Sequence, residues 1–304
     1  MMVFDVIVSG LNVVDLLVTL PSGYEAGKKH EVETILIQGG APAGNAACGL
    51  ASLGLHTAFL GFNGENTQSQ IALAELQRCG VDTQLMLDDA QAQPAIALVE
   101  VDPKTGDRTV FYSLQGYRAL SVNDIVPSWV TNSRLVFVDG YDVEGNLELL
   151  RQAKAANVPS LIDIEAGDKA TLNTMLELAS HAILPLEAAQ ELTGMQHAEQ
   201  CLRHLAQITE GQLVITDGAN GSWALHHNSI IHQSIFAVEV VDTTGCGDAY
   251  HAAYAYALLR GDSLAQRMQF AAGFAALIAR HLGGRTSFPS ASEVQSFIES
   301  HCKA

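Results

Sequence analysis

The chain has 304 residues, of which 48% are hydrophobic and 16% charged, so it has enough apolar residues to bury a sizeable core. Its 33 acidic and 16 basic residues give a net charge of −17. This charge disfavours a nucleic-acid partner, because such binding depends on many Lys and Arg contacts to phosphates. The five cysteines are odd in number and form no C-x-x-C pair. This argues against a disulfide framework or a zinc cluster and favours a reducing, cytoplasmic location.

The beginning of the chain lacks the pattern of a signal peptide. Its first ten residues, MMVFDVIVSG, carry Asp5 inside the apolar run and predict a first strand instead. One stretch without Asp, Glu, Lys or Arg, from Thr34 to Gly64, is long enough to span a membrane. Seven glycines, Pro42 and Asn45 break it into short pieces, so we expect a buried glycine-rich segment and no membrane partner.

In chain order, apolar runs of strand length alternate with segments of helical period through most of the sequence. This alternation is typical of parallel strands joined by crossover helices and predicts an α/β fold. Central strands are predicted at residues 3–10, 57–62, 134–140, 159–164, 181–186 and 212–218. Helices are predicted at Ala43–Leu53, Gln68–Cys79, Gly145–Ala156, Lys169–Ser180, Cys246–Arg260, Leu264–His281 and Ala291–His301.

Two segments, residues 11–37 and 94–120, interrupt this alternation. In the second, AIALVEVD and RTVFYSL flank the turn PKTGD, which is typical of a β-hairpin. Both segments leave the main sheet at neighbouring early strands, so we expect a small sheet that covers the strand ends, where open α/β sheets bind ligands. The sequence thus predicts one domain, residues 1–304, with a lid. The uncovered face of that lid predicts a homodimer.

The segment VEVVDTTGCGDAYHAAYAYALLRG carries the most informative pattern. It predicts a strand that ends at Asp242, then a glycine turn, then an apolar helix. Glycines let a backbone approach a ligand closely, and the free N–H groups that begin a helix attract anions. Gly245, Cys246 and Gly247 are therefore candidates to hold a transferring phosphoryl group. Asp248 follows them and is the candidate base that accepts an alcohol proton, unless it only caps the helix.

A second segment, QGGAPAGNAACGLASLG, places two glycines before a helix of small residues. Gly39 and Gly40 allow a polyhydroxylated ligand to touch the backbone, and the amide of Asn45 offers a donor and an acceptor to a diol. Tight packing of the helix on the sheet is the alternative interpretation. After the first strand, Asn12 and Asp15 flank an apolar pair and are candidate substrate contacts. Asp15 would accept hydrogen bonds from sugar hydroxyls or, alternatively, cap a turn.

Standard nucleotide motifs are absent, since the chain has no G-x-x-x-x-G-K-[ST] and no G-x-G-x-x-G after its first strand. Together, however, GLNVVDLLVTLP, QGGAPAGN and VVDTTGCGDA resemble the ribokinase family, or PfkB-type carbohydrate kinases, over essentially the whole chain. The resemblance implies a ribokinase-like three-layer sandwich with a central, mostly parallel sheet and a small β-sheet lid. It also implies ATP as phosphoryl donor, Asp248 as catalytic base, residues 245–247 as the anion hole, and sugar contacts at Asp15, Gly39, Gly40 and Asn45.

Two further segments resemble the nucleotide site of the same family. LVITDGANGSWAL implies contacts of Thr216, Gly218 and Gly221 with the phosphates and ribose of ATP. HLGGRTSFP resembles the loop that closes the adenine pocket and implies a contact at Gly284.

The resemblance also implies metal ions. At two places, however, the chain departs from the family pattern. A monovalent cation such as K⁺ is implied near Asp242 and Thr244. Cys246 stands where Ala is usual, which adds a thiol beside the phosphate, and we expect an inert buried thiol in preference to a reactive thiolate. In AILPLEAAQELTG, the motif Asn-x-x-Glu, which the family uses for Mg²⁺ and phosphate, is not intact, and Glu187 is an approximate stand-in.

These residues predict an ATP-dependent phosphotransferase that acts on a hydroxyl of a sugar or sugar-like molecule. Because basic residues are few, backbone N–H groups and Mg²⁺ are expected to meet the phosphate charge. A nucleoside kinase is an alternative, supported by Phe111, Tyr112 and Tyr117 in the predicted lid. Arg108 and Arg118 leave open a kinase of an anionic sugar derivative, and a non-catalytic sugar-binding protein is a further alternative.

Overall fold

A computed structural model describes residues 4–302 of the chain, so Val3, the first residue of the predicted first strand, lies outside it. The strands are β1 (Phe4–Ser9), β2 (Val13–Thr19), β3 (Ile35–Gly40), β4 (Thr57–Leu60), β5 (Phe62–Asn63), β6 (Leu87–Asp88), β7 (Ala95–Val101), β8 (Arg108–Ser113), β9 (Ser133–Asp139), β10 (Ser160–Asp163), β11 (His181–Pro185), β12 (Gln212–Thr216), β13 (Ser222–His226) and β14 (Ser229–Gln233). The helices are α1 (Pro42–Ser52), α2 (Thr67–Arg78), α3 (Pro127–Thr131), α4 (Val143–Ala156), α5 (Lys169–Leu178), α6 (Leu186–Thr193), α7 (Ala198–Leu205), α8 (Cys246–Arg260), α9 (Leu264–Ile278) and α10 (Ala291–Cys302).

The central sheet has eight strands in the order β14-β13-β12-β11-β10-β9-β1-β4. The strands from β12 to β4 are parallel, whereas β13 and β14 are antiparallel at one edge. All six predicted central strands lie in this sheet. Most of their side chains are buried on both faces of the sheet, which explains why these strands read as apolar runs.

Helices cover both faces of the central sheet. Along β1, Val6 and Val8 belong to the core beneath α1, α8 and α9, whereas Ile7 belongs to the core beneath α4 and α5. The result is the predicted three-layer α/β sandwich. The short helices α3, α6 and α7 are additions that the sequence pattern does not predict. Within residues 4–302, no helix is both long enough and apolar enough to cross a membrane.

Segments 11–37 and 94–120 supply a separate four-stranded sheet in the order β3-β2-β7-β8. In it β2 and β7 are parallel, and the outer pairs are antiparallel. Side chains alternate between the two faces, and we call the face that carries Asp15 and Tyr112 the inner face. The outer face carries an apolar row of register partners, Ile37, Leu16, Leu98 and Phe111. The role of this sheet as a lid stays a prediction.

The structure corrects one predicted strand, residues 238–242 before the glycine turn. These residues form an extended loop outside the sheets. The amides of Val241 and Asp242 donate to the carbonyl of Ala279, just after α9, at 2.8 and 3.3 Å. The β-branched run is therefore held by the end of a helix instead of by a neighbouring strand.

Candidate active site

The candidate residues gather where the parallel strands of the central sheet end. At this edge the inner face of the four-stranded sheet and the first turn of α8 enclose a cavity of about 230 Å³, which we call the central cavity. Its volume suits a ligand smaller than a typical drug-sized molecule. Its polar lining comprises Asp15, Asn45, Arg108, Tyr112, Tyr141, Glu165, Thr244 and Asp248.

A glycine turn begins α8 and leaves backbone amides free. Gly245 has a φ of 76°, a left-handed conformation that glycine adopts without strain. The amide of Cys246 donates to the carbonyl of Thr243 at 3.2 Å, so this one of the predicted anion-hole amides is engaged. The amides of Gly247 and Asp248 lie in the first turn, where the helix offers them no carbonyl, and they are suited to bind an anion.

Asp248 is buried in that first turn and lines the central cavity. The side-chain amide of Asn45, on α1, donates to Asp248 Oδ2 at 2.6 Å. Asp15, on β2, lines the same cavity from the inner face, and burial raises its pKa to about 6. The structure therefore brings Asp15, Asn45 and Asp248, which are distant in sequence, to one cavity.

Gly39 and Gly40 end β3 at a point where two side chains pass very close to the backbone. A Cβ atom on Gly40 would lie 1.9 Å from Asp15 Oδ2, and one on Gly39 would lie 2.0 Å from Arg285 Nη1. The close approach of these two side chains favours glycine at both positions, and it differs from the packing of a helix on the sheet that the alternative interpretation names. Their contact with a sugar stays a prediction.

Arg285 belongs to this site, although no sequence pattern identifies it. Its Nε donates to Asn45 Oδ1 at 2.7 Å, and its Nη2 donates to the carbonyl of Gly40 at 2.6 Å and to Asn12 Oδ1 at 3.3 Å. Asn12 and Asn45 thus turn their oxygens to the arginine. These partners are 240 to 273 positions away in sequence, so no local pattern indicates the role of Arg285.

The residues predicted to contact ATP lie at the same edge of the central sheet. Thr216 ends β12, and Gly218 and Gly221 form the turn before β13. A Cβ atom on Gly221 would lie 2.2 Å from a carbonyl at the end of β14, so the neighbouring strand requires this glycine. The hydroxyls of Ser222 and Tyr250 are 2.8 Å apart and tie the turn to α8.

Asp242 braces the loop before α8 against the loop that contains Gly284. Its Oδ1 accepts from the amide and hydroxyl of Thr244 at 2.8 and 2.7 Å, and its Oδ2 accepts from the amide of Gly283 at 2.7 Å. The loops pack so closely that a Cβ atom on Gly245 would lie 2.8 Å from the Cα of Gly284. Both oxygens of Asp242 are thus engaged by donors, and a monovalent cation near it stays a prediction.

Glu187 and Cys246 are two further predicted site residues that do not line the central cavity. Glu187 is exposed in the first turn of α6 and does not line the central cavity, so its role as a metal ligand stays a prediction. Burial raises the pKa of the Cys246 thiol to about 12, which keeps the thiol protonated at neutral pH. This favours the inert interpretation of Cys246.

Asp163 and Glu165 form an acidic pair that the sequence analysis does not identify. They line a second cavity of about 210 Å³, which adjoins the central cavity through Glu165 and Tyr141. Asp163 is buried at the end of β10, and within the described part of the chain neither of its oxygens accepts a hydrogen bond. Its nearest basic partner is His251, with Nε2 at 3.4 Å. A buried carboxylate in this state fits a cation.

Comparison with known proteins decides the family of this chain. The sequence model of the pfkB family carbohydrate kinases matches residues 6–291. The chain belongs to this family. The predicted enzyme class, an ATP-dependent carbohydrate kinase that phosphorylates an alcohol group, is thereby confirmed.

Individual relatives of this PfkB kinase cover nearly all of its length. It is 23% identical over 316 residues to the 5-dehydro-2-deoxygluconokinase of Shouchella clausii, covering 97% of this chain and 96% of that one. A candidate ribokinase of Agrobacterium tumefaciens superposes with a TM-score of 0.92 at 23% identity and 99% coverage of both chains. Arabidopsis thaliana ribokinase, solved with ribose and ATP, superposes with a TM-score of 0.83 at 24% identity, covering 98% of this chain and 99% of that one. These superpositions confirm the ribokinase-like fold.

Proposed function

We propose that this PfkB kinase transfers the γ-phosphoryl group of ATP to a hydroxyl of an uncharged sugar, with Asp248 as the general base. The position of Asp248 carries the proposal. Its carboxylate is buried at a small cavity, in a helix turn where the amides of Gly247 and Asp248 are free to bind an anion. A base thus adjoins an anion site, as phosphoryl transfer to an alcohol requires.

In the proposed reaction the carboxylate of Asp248 takes the proton of the attacking hydroxyl. The hydroxyl oxygen bonds to the γ-phosphorus, the bond from that phosphorus to the β-phosphate oxygen breaks, and ADP leaves. The amides of the first turn of α8, including that of Gly247, stabilise the charge on the transferring group. Asp15 and Asn45 orient the sugar, and the four-stranded sheet excludes water that would hydrolyse ATP.

Asp163 and Glu165 fit the Mg²⁺ ion that this chemistry needs. Protein sites hold Mg²⁺ by one or two carboxylates together with the phosphates of the substrate, and Asp163 offers a carboxylate without a hydrogen-bond partner in the described chain. The ion would neutralise phosphate charge in a chain that has few basic residues. Glu187 is exposed outside the central cavity, and we prefer the acidic pair for this role.

The charges around the central cavity favour an uncharged sugar over an anionic derivative. Even with Glu165 assigned to Mg²⁺, the carboxylates of Asp15 and Asp248 outnumber Arg108 in the lining, so a substrate anion would meet repulsion in a partly desolvated site. Arg118 is engaged elsewhere, because it pairs with Asp89 and lies 4.0 Å above the ring of Phe62. The lining carboxylates are Asp15, Glu165 and Asp248.

A nucleoside is the second candidate substrate, and the tyrosines of the cavity favour it. Tyr112 and Tyr141 line the central cavity and offer rings on which a base would stack. The other aromatic residues of the predicted lid do not add to this. Phe111 lies on the outer face, and the Tyr117 hydroxyl donates to Asp142.

The substrate class is tested by measuring ATP consumption with D-ribose, D-fructose, D-gluconate and adenosine. We expect the highest kcat/KM with one of the two uncharged sugars, because neither adds an anion to the acidic cavity. A preference for gluconate would overturn the charge argument, and a preference for adenosine would establish the nucleoside alternative.

The base is tested by Asp248→Asn, which keeps the shape of the side chain and removes its basicity. We expect kcat to fall by about 100- to 10000-fold, the usual contribution of a general base, while the affinities for ATP and sugar stay within a few fold. Asp168→Asn is the matched control, since Asp168 caps α5 by accepting from the Ala170 and Thr171 amides. If Asp248→Asn keeps more than about a tenth of wild-type turnover, Asp248 is only a capping residue.

A further inference from the structure

We propose that Arg285 is a positioning residue that fixes the orientation of Asp248 through the side chain of Asn45. This inference rests on the proposed role of Asp248 as the base. Arg285 lies in the loop between α9 and α10, is 0% exposed, and lines neither of the two cavities. It therefore contacts a residue that lines the central cavity, Asn45, without reaching the cavity itself.

Two short hydrogen bonds connect Arg285 to the base. Arg285 Nε donates to Asn45 Oδ1 at 2.7 Å, and Asn45 Nδ2 donates to Asp248 Oδ2 at 2.6 Å. A guanidinium group has donors only, so it bonds Asn45 through the amide oxygen. The amide nitrogen must then face Asp248. Without the arginine, the amide keeps only its bond to Asp248 and is no longer held from its other side.

The surroundings of the guanidinium are shaped to hold it in this place. A Cβ atom on Gly39 would lie 2.0 Å from Nη1, and one on Gly44 would lie 2.2 Å from Nη2. Nη2 also donates to the carbonyl of Gly40 and to Asn12 Oδ1. One side chain thus joins the end of β3, the loop after β1 and the start of α1 to the loop after α9.

The fixed amide has a consequence for the proton transfer. Since Asp248 Oδ2 accepts the bond from Asn45, the proton of the attacking hydroxyl is assigned to Asp248 Oδ1. A carboxylate held by one oxygen keeps the other in a constant position, and small misplacements of a catalytic group lower rates strongly. Loss of Arg285 should therefore lower kcat, while the affinity for ATP changes little.

Arg285→Met is the first test, because it removes every donor and keeps much of the side-chain length. With MgATP and the panel sugar of highest kcat/KM, we expect kcat to fall by about 100-fold and the KM for ATP to change by less than about 3-fold. Arg280→Met, which removes an exposed arginine of the same segment, is the matched control and should be neutral. A kcat of Arg285→Met within about 3-fold of wild type would overturn the proposal.

A double-mutant cycle separates positioning from general support of the fold. If Arg285 acts through Asn45, then adding Arg285→Met to Asn45→Ala should lower kcat by no more than about 3-fold further. Two independent losses that multiply in the double variant would contradict this route and assign Arg285 a separate role.

Asn45→Asp keeps the proposal testable if Arg285→Met does not fold. The new carboxylate still accepts from Arg285, which supports folding, but it replaces the donor to Asp248 by a second acceptor. We expect kcat to fall by at least about 100-fold in a folded protein. Near-normal kcat would overturn the inference. If Asp248→Asn itself is active, the proposed function fails; if it is inactive while the Asn45 and Arg285 variants are active, only this inference fails.

Discussion

The buried carboxylate of Asp15 lowers the stability of the fold, although the proposed sugar binding needs it as a hydrogen-bond acceptor. Burial raises its pKa from 3.8 to about 6, so between these values the folded protein keeps a proton that the unfolded chain has released. The free energy of unfolding therefore falls as pH rises through this window. Above it the buried carboxylate lowers that free energy by about 3 kcal/mol.

Asp15→Asn should relieve this penalty. We expect its free energy of unfolding in urea to exceed that of wild type by up to about 3 kcal/mol at pH 7.5 and to equal it near pH 4. The KM for the sugar should rise by about 10-fold or more, because a hydroxyl acceptor is lost. Asp107→Asn, at an exposed position in the β7–β8 turn, should change neither quantity. An equal gain at both pH values would contradict the protonation argument.

Cys246→Ala should leave kcat within a few fold of wild type, because the substitution preserves every backbone amide of the turn. The protonated thiol should also resist iodoacetamide at pH 7.5, since alkylation requires the thiolate. Mass spectrometry of the labelled protein and steady-state kinetics check the two statements. Loss of turnover in a folded Cys246→Ala protein would show that the thiol takes part in the reaction.

Residues whose role follows from a local pattern are predictable from the sequence, and those with distant partners are not. Asp248 and Gly245 belong to one motif of a glycine turn and a helix start, and the structure places both at the central cavity. Arg285 follows two glycines as a single basic residue, and only the fold brings it to Asn45. The acidic pair Asp163 and Glu165 stands at the end of a predicted strand, residues 159–164, and this position is the signal that would have indicated it.

At the scale of elements, burial explains which predictions are confirmed. The central strands are continuous apolar runs covered on both faces, and all six are predicted from the sequence. The run at residues 238–242 has strand-like residues, but Val240 and Val241 are exposed and no sheet edge receives them. The helices α6 and α7 have only eight residues each, too few for a clear helical period.

The contact between the four-stranded sheet and the loop before α8 supports the lid prediction. The carbonyl of Gly106, in the β7–β8 turn, accepts from the amide and the hydroxyl of Thr243, each at 3.1 Å. Arg108 Nη1 lies 3.4 Å from the carbonyl and hydroxyl oxygens of the same threonine. The turn therefore meets the chain just before the anion site, where closure over a bound sugar would be completed.

Gly106→Ala should weaken this closure, since a Cβ atom there would lie 2.8 Å from Val240 Cγ1. We expect the KM for the sugar to rise by about 10-fold and ATP hydrolysis without sugar to increase, because water enters the site. Gly23→Ala is the matched control. Gly23 has a φ of 83° against 73° for Gly106, but nothing lies within 4 Å of its added Cβ. Equal effects of the two variants would show backbone strain instead of closure.

At the scale of the whole molecule, the outer face of the four-stranded sheet is an apolar surface that the described part of the chain leaves uncovered. Ile37, Leu98 and Phe111 are 53%, 43% and 56% exposed, and they lie side by side on adjacent strands with Leu16. Contiguous apolar surface of this kind marks an interaction site. The inner face of the same sheet lines the central cavity, so a partner that packs on the outer face would also affect substrate binding.

We propose that a second copy of the chain covers this outer face, and the double variant Leu98→Asp/Phe111→Asp tests it. Light scattering at micromolar concentration should give a dimer for wild type and a monomer for the variant, because two buried charges on each copy oppose association. Val122→Asp is the control, since Val122 is 47% exposed but lies outside the sheet.

The dimer should also affect substrate binding. The outer face of the four-stranded sheet has no second layer packed on it, so without a partner this face is exposed to water and its strands are held less firmly. The monomeric variant should therefore also bind the sugar more weakly, with a KM raised by about 10-fold and kcat nearly unchanged. A monomeric wild-type protein would refute the dimer, and a monomeric variant with normal KM would show that the lid works without a partner.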